Sequence, residues 1–426
     1  MRTAGIIAEY NPLHMGHQYH MERAREITGA DYLIAVISGD FVQRGAPAVF
    51  DKYERARMAL MCGADLVVEM PSVFATGSAE DFSACGIALL DKLGVTDFLF
   101  FGSECGDIRP LLLAASVLAD EPEAFSANLK ELLRQGLSFP AAREKALADF
   151  INSSGNGCKS TDFSSPNNIL GIEYCKAILK QKSSIKPVTL LRRGNYHNAS
   201  LVETDNTQTE EPAALYSSAS AIRKELSRST GCSFPSSDLS SHIPECLHNF
   251  YETCHPIFAE DFSSLLNYAI LKNVTEEIPF TVFEGFSSEL SARLEKHIYS
   301  GSSWDGRIME LKTRNYTYTR ISRALLHMVL GMTSDEAQAM RLCGYAPYAR
   351  LLGFRKSAAP ILSAIKKNSS IPLITKTADA WESIDCNHYH FLKRDFFASH
   401  IYQAVLSRKY GIPARNEFTQ QLVILP

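Results

Sequence analysis

Four short, uninterrupted apolar runs in the first hundred residues, Gly5 to Ala8, Tyr32 to Ile37, Leu66 to Val68 and Phe98 to Phe101, constrain the fold more than any other feature of this chain. A strand with one wet face alternates apolar and polar residues, whereas a strand of a helix-covered parallel sheet is apolar throughout. The segments between the runs have the length and pattern of crossover helices, so the spacing predicts βαβ units and a Rossmann-like α/β sheet. Each run ends on small or polar residues: Asn11, Ser38-Gly39-Asp40, Glu69 and Gly102-Ser103-Glu104. Ligands of open parallel sheets lie beyond the carboxyl ends of the strands, so these separate loops are expected to meet at one crevice.

The loop after the first run reads Pro12-Leu13-His14-Met15-Gly16-His17 and opens a helix-like segment through Arg25. Such a turn is expected to point free backbone N–H groups and the positive end of a helix dipole at a phosphate. Gly16 adds no side chain between backbone and ligand. His14 and His17, three apart, fall on one helix face and can donate to the same phosphoryl oxygens. The alternative is that the two histidines only cap a helix. A zinc site from His14, His17 and His20 is disfavoured, because positions six apart diverge on a helix and no cysteine pair or carboxylate completes a tetrahedral set, so no metal ligands are assigned. The pattern resembles the HIGH-type motif, His-x-Gly-His, of nucleotidyltransferases and class I aminoacyl-tRNA synthetases. Farther on, Ser217-Ser218-Ala219-Ser220-Ala221-Ile222-Arg223 enters a helix with hydroxyls and an arginine three places beyond Ser220. It forms a second anion-binding constellation and resembles the second motif of those enzymes, the alternative being a plain N-cap with a solvent-facing arginine.

The chain has 426 residues, 46% hydrophobic and 21% charged, enough for two or three domains with cores of their own and too apolar for global disorder. A formal charge of -4 leaves any nucleic-acid contact to a local patch. Neither a signal-like leader nor a membrane-spanning apolar stretch is read, so a cytoplasmic location is expected. Ten cysteines without a Cys-x-x-Cys pair read as reduced thiols.

Helices are expected over 111–150, as an insertion spanning about 111–165. Within its polar tail, Gly155 to Ser160 lacks the glycine before lysine and the preceding strand that a P-loop needs. Ser165-Pro166-Asn167-Asn168 should cap a helix through Leu179, and Val188 to Leu191 should form a strand leading to Arg192-Arg193-Gly194, paired arginines suited to phosphate. Residues 203–212 read as a solvated loop, and the Ser-, Gly- and Pro-rich stretch Ser227 to Ser241 as a linker. The linker divides residues 1–230, the α/β unit, from 231–426, a mainly α-helical domain. In the latter, residues 319–330 place Arg320, Arg323 and His327 beside an apolar stripe, with Lys312, Arg314, Tyr316 and Tyr318 just upstream. This mixture suits phosphate neutralisation and base stacking, or else is a solvated helix face. The last fifty residues, with His388-Tyr389-His390, yield no reading.

Taken together, Ala4 to His17, Ser38 to Gly45, Gly63 to Val67, Phe101 to Glu104, Ser165 to Gly171, Arg192 to Gly194, the serine turn to Arg223 and the basic Lys312 to Arg323 segment resemble the bacterial tRNA(Met) cytidine acetate ligase family over most of the chain. The resemblance implies a HIGH-motif nucleotidyltransferase fold and an enzyme that activates acetate with ATP as acetyl-adenylate, releases pyrophosphate, and passes the acetyl group to N4 of the wobble cytidine of elongator tRNA(Met). It implies that the loop Ile7, Ala8, Glu9, Tyr10, Asn11, Pro12, Leu13, His14, Met15, Gly16, His17, Gln18, Tyr19 and His20 holds ATP. Gly102, Asn167 or Asn168, and Arg192 or Arg193 would complete the pocket, with Ser218, Ser220 and Arg223 from the second motif. His14 and His17 are the catalytic candidates, and Mg2+ is expected to travel on the phosphates. Lys312, Arg314, Arg320 and Arg323 are the tRNA-binding candidates. Leu13 and Met15 stand where many relatives are expected to carry Phe and Asn, leaving the histidines and Gly16 intact. Two other functions fit the residues: adenylation or cytidylation of a small phosphorylated metabolite, and noncatalytic RNA binding.

Overall fold

The structure, a computed structural model, describes residues 1–153, 162–192, 217–228 and 237–426. Its frame is an eight-stranded sheet of β1 (Thr3–Ala8), β2 (Tyr32–Ser38), β3 (Leu66–Met70), β4 (Phe98–Ser103), β5 (Lys186–Leu191), β6 (Ala349–Arg355), β7 (Leu373–Ile374) and β8 (Val423–Leu425). The first five are parallel in the order β3-β2-β1-β4-β5. All four apolar runs therefore became neighbouring strands.

Residue alternation sends the two faces of the sheet to different helices. Ile6, Leu33, Ile37 and Phe100 pack with Met21 and Ala24 of α1 (Met15–Thr28) and Ala56 and Leu60 of α2 (Lys52–Met61). Ile34, Val36, Leu99 and Phe101 face the other way, onto Phe82 and Leu89 of α3 (Ala79–Lys92) and Ile172 and Cys175 of α4 (Pro166–Gln181). Each large side chain so buried contributes about 1.5–3 kcal/mol relative to exposure, which fixes the strand register. The expected helical insertion forms Ile108–Asp120, Glu123–Arg134 and Phe139–Ser153, and the serine turn leads into α5 (Ala219–Arg228). Arg193, the polar 203–212 stretch, the P-loop-like segment and the expected boundary near residue 230 lie outside the described residues.

The later part of the chain is mainly helical, as expected, with its own core around Trp304, Ile308, Ile321 and Leu325, the last two on α6 (Tyr318–Val329). It also supplies three strands that the sequence reading missed. β6 runs antiparallel to β3, and β7 and β8 pair parallel with its first and last residues. The sequence Ala349-Arg350-Leu351-Leu352-Gly353 hid this strand because Arg350 is buried in it. An ionic cluster accounts for that burial. Lys52 Nζ lies 2.8 Å from Glu69 and 3.2 Å from Glu417, and Arg350 lies 2.9 Å from Glu69 and also pairs with Glu417. Ser399, on α7 (Tyr389–Tyr410), accepts from Lys52 Nζ and donates to Asp40. The last forty residues thereby lock onto the ends of β2 and β3. Among the described residues, no helix is long and apolar enough to cross a membrane.

Candidate active site

A cavity of about 310 Å3 opens beyond the carboxyl ends of β1 and β4. Those strands are neighbours, yet β1 continues into α1 on one face while β4 packs under α4 on the other. This is the switch point at which an open sheet leaves a crevice.

On the α1 face the histidine motif is held by its own backbone. Tyr10 turns the chain with φ +48, a conformation non-glycine residues rarely adopt and one that recurs at binding sites. His14 is the N-cap of α1 and its Nδ1 accepts from Gly16 N at 3.1 Å, while His17 Nδ1 accepts from His14 N at 3.3 Å. The rings lie 3.9 Å apart, centroid to centroid, and His17 meets Tyr10 edge-on. Met15 N donates to His242 O, and His17 N to His14 O. The expectation of free helix amides aimed at phosphate is therefore corrected, because the histidine cap and the His242 carbonyl already occupy them. The capping alternative is realised: His14 and His17 form the capping box of α1. With each Nδ1 used as an acceptor, a neutral ring carries its proton on Nε2 and donates from there. The rings are neutral near pH 7. Burial, then Arg192, Arg223 and His242, push His14 down to about 3; burial and Arg192 take His20 to about 4; burial, then His14 and Arg192, hold His17 well below the usual range.

Cations and hydroxyls face these rings. Arg223 donates to the Asn11 carbonyl at 2.6 Å and to Ser220 Oγ at 2.9 Å, and Ser218 Oγ caps α5 by accepting from Ala221 N. Arg192 Nη1 donates to Asn167 Oδ1, and Asn167 Nδ2 to Glu104. Tyr10 Oη and His20 Nε2 are buried in the wall with no protein partner among the described residues.

Of the residues expected to hold ATP, Ile7, Ala8, Glu9, Tyr10, Asn11, His14, Gly16, His17, Tyr19, His20, Gly102, Asn167, Arg192, Ser218, Ser220 and Arg223 line this cavity. Pro12, Leu13, Met15 and Gln18 are not on its wall; Leu13 is core. Asn168 is buried and employed elsewhere: its Oδ1 accepts from Glu104 N and Cys105 N, and its Nδ2 donates to Asp162 O. Of the Asn167 or Asn168 alternative, Asn167 is the one on the cavity wall. The wall also contains Gln43 and Arg44, just past the polar end of β2, and Phe82, Phe101, Leu170 and Tyr174. The strand-end rule pointed toward the first two. The others were not among the expected site residues.

The basic segment lies apart from the cavity wall. Lys312, Arg314 and Arg320 are exposed, with Arg320 4.6 Å over the Tyr316 ring, and Arg323 is half-buried. Two expected members drop out. His327 is buried between Thr76 Oγ1 and the Glu284 carbonyl, and Tyr316 is buried with its hydroxyl against Ser287, so neither is presented to a base.

Residues 1–416 match the HIGH Nucleotidyl Transferase family model. The chain is 38% identical over 430 residues to the tRNA(Met) cytidine acetate ligase of Acetivibrio thermocellus, covering all of both chains, and 40% identical over 379 residues to that of Clostridium kluyveri, covering 88% and 90%. It superposes on a crystal structure of Thermotoga maritima TmcAL bound with alpha-thio ATP with a TM-score of 0.86 and 31% identity, again over all of both chains. Whole-chain identity of this order, with the histidine pair at the switch point of the same sheet, makes the chain a member of the HIGH nucleotidyltransferase family and, within it, of the tRNA(Met) cytidine acetate ligases.

Proposed function

We propose that this chain activates acetate with ATP and acetylates N4 of the wobble cytidine of elongator tRNA(Met). An acetate oxygen attacks the α-phosphorus, the bond to the bridging oxygen of pyrophosphate breaks, and acetyl-adenylate forms. The cytidine amine then attacks the acetyl carbonyl, loses a proton, and AMP leaves. The chain's part in the first step is electrostatic: His14 and His17 donate Nε2–H to phosphoryl oxygens as charge builds, and Arg192 and Arg223 offset the charge of the triphosphate. Each such aimed donor is worth on the order of 10²- to 10³-fold in rate. Glu9 is the sole carboxylate on the wall among the described residues, too few for an oxygen cage, which fits Mg2+ held mainly by the phosphates it screens. Residues 1–230 carry this chemistry, and Lys312, Arg314, Arg320 and Arg323 of 231–426 dock the tRNA, a substrate that sets the reaction in the cytoplasm.

The observation that carries this reading is the pair of neutral, Nδ1-capped imidazoles sharing one cavity with Arg192 and Arg223. Acetate-dependent exchange of labelled pyrophosphate into ATP tests it, together with detection of N4-acetylcytidine after incubation with tRNA, ATP and acetate. Exchange indifferent to acetate would favour nucleotidyl transfer to a small phosphorylated metabolite over acetate activation.

A further inference from the structure

The cavity has two chemically unlike halves. On the α1 side its wall carries His14, His17 and Arg223 beside apolar Ile6 and Leu190; on the α3 and α4 side it is mainly Ile7, Phe82, Phe101, Leu170 and Tyr174, with Asn167 at the start of α4. We propose that the second half is the acyl pocket, receiving the methyl group of acetate and setting the length of carboxylic acid that can be activated. This rests on the ligase reading above.

The acid must present a carboxylate oxygen to the α-phosphorus while its apolar end leaves water, so its two ends need walls of opposite character within a few ångströms. The cavity at the switch point joins them. The adenine ring would bury an amino group and three ring nitrogens in the apolar half with only the Tyr174 hydroxyl and Glu9, among the described residues, to meet them. Burial, and then the neighbouring Glu9, keep the Tyr174 hydroxyl protonated, a donor suited to a carboxylate oxygen.

The chamber is also rigid. Phe101 and Tyr174 pack with ring centroids 5.5 Å apart at 60°. Gly171 of α4 sits so close that an added Cβ would come within 2.6 Å of Phe101 Cε2, and one at Gly86 of α3 within 2.5 Å of Ile7 Cδ1. Both helices therefore rest nearly backbone-deep on the side chains that form the floor. A close-packed floor does not yield to one more methylene. An apolar pocket distinguishes acids differing by one methylene by about ten- to two-hundred-fold, and here the penalty falls on the longer acid.

The test is pyrophosphate exchange with formate, acetate, propionate and butyrate, on the full chain and on Leu170→Ala and Phe82→Leu. Leu170 is only half-buried, so its truncation opens space with little cost to the core; the Phe82 variant opens the same chamber from α3. The expected result is a propionate-to-acetate ratio of kcat/KM raised at least about tenfold in either folded variant, approaching the methylene discrimination it removes. An unchanged ratio in both overturns the proposal, as does a loss of ATP affinity in the absence of acid, which would give the chamber to adenine. If the unaltered chain exchanges without any acid, the ligase reading falls and the acyl pocket with it. Acetate-dependent exchange with unaltered ratios removes the pocket alone.

Discussion

Ser322 donates its hydroxyl to the carbonyl of Gly45 at 2.7 Å, in a buried contact between α6 and the turn that follows β2. That turn closes a small antiparallel pair, Phe41–Val42 with Ala46–Pro47, and carries Gln43 and Arg44 to the cavity wall. The helix it touches carries Arg320 and Arg323. One turn thus joins the candidate tRNA face to the candidate active site. Gly45 has φ +75, and an added Cβ would lie 2.3 Å from Arg323 N, a backbone atom that cannot step aside alone. Gly45→Ala should cost about 1–3 kcal/mol in strain. It should lower acetyl transfer to tRNA more than pyrophosphate exchange, with both measured on one preparation. An equal loss in the two assays would mean the turn merely supports the fold.

The neutral histidines make a second prediction, for folding stability against pH. His14 and His20 have values near 3 and 4 in place of 6.5, so below pH 6.5 the unfolded chain binds more protons than the folded one. Stability is fully present above pH 6.5 and declines as pH falls toward the folded values. A bound triphosphate favours the charged rings, but folded values near 3 and 4 keep His14 and His20 neutral from pH 8 to 6, the form that donates from Nε2. Denaturant unfolding between pH 8 and 4 would measure the decline, and a stability that stays constant below pH 6.5 would show that the rings are not buried in the neutral form.

The rate effect is separable from the protonation effect. His17→Ala should lower acetate-dependent exchange by about 10²- to 10³-fold, as expected for loss of a donor aimed at developing charge. Saturating ATP should not restore the rate. A variant limited only in KM would reassign His17 to ground-state binding.

How much of this was visible in the residues follows from which forces leave a local trace. Burial on both faces makes a strand continuously apolar, so β1 to β4 were readable, and the His14–His17 loop was placed by the strand it follows. β6 was not readable, because Arg350 looks like a surface residue until Glu69 and Glu417, each distant in sequence, are beside it. Phe101 and Tyr174 carry no mark that distinguishes a cavity wall from a core. Asn167 and Asn168 were indistinguishable for a related reason: both amides bond to the loop around Glu104, and only the folded helix start shows that Asn167 is on the cavity wall while Asn168 is buried. His327 misled because a basic residue beside an apolar stripe was taken to face water, while Thr76 and Glu284 bury it.

The Lys52 cluster supplies a stability prediction. Burial alone would raise the Glu417 carboxyl, but Lys52 and Arg350 draw it down to about 2. Its contribution is present above the ordinary carboxylate value of 4.5 and is lost as pH falls through about 2. Glu417→Gln leaves Lys52 and Arg350 buried with one carboxylate between them and should cost about 3–5 kcal/mol. Denaturant unfolding at pH 7 would measure it. A loss below about 1 kcal/mol, the range of exposed pairs, would show that the cluster does not secure the last forty residues.

The basic segment yields the last prediction, narrowed by the structure to its exposed members. Lys312, Arg314 and Arg320 reach solvent, whereas Arg323 is half-buried with its backbone against Gly45, so its replacement would confound charge with packing. Each phosphate neutralised by the segment contributes about 0.7–0.9 to the slope of log affinity against log salt. Reversing the three exposed charges together should weaken tRNA binding far more than ATP binding and flatten that slope by about 2. Binding isotherms across a salt series would measure both effects. A weaker affinity with an unaltered slope would mean the substitutions perturbed the fold of α6, and an unchanged affinity would move the tRNA to another face of the molecule.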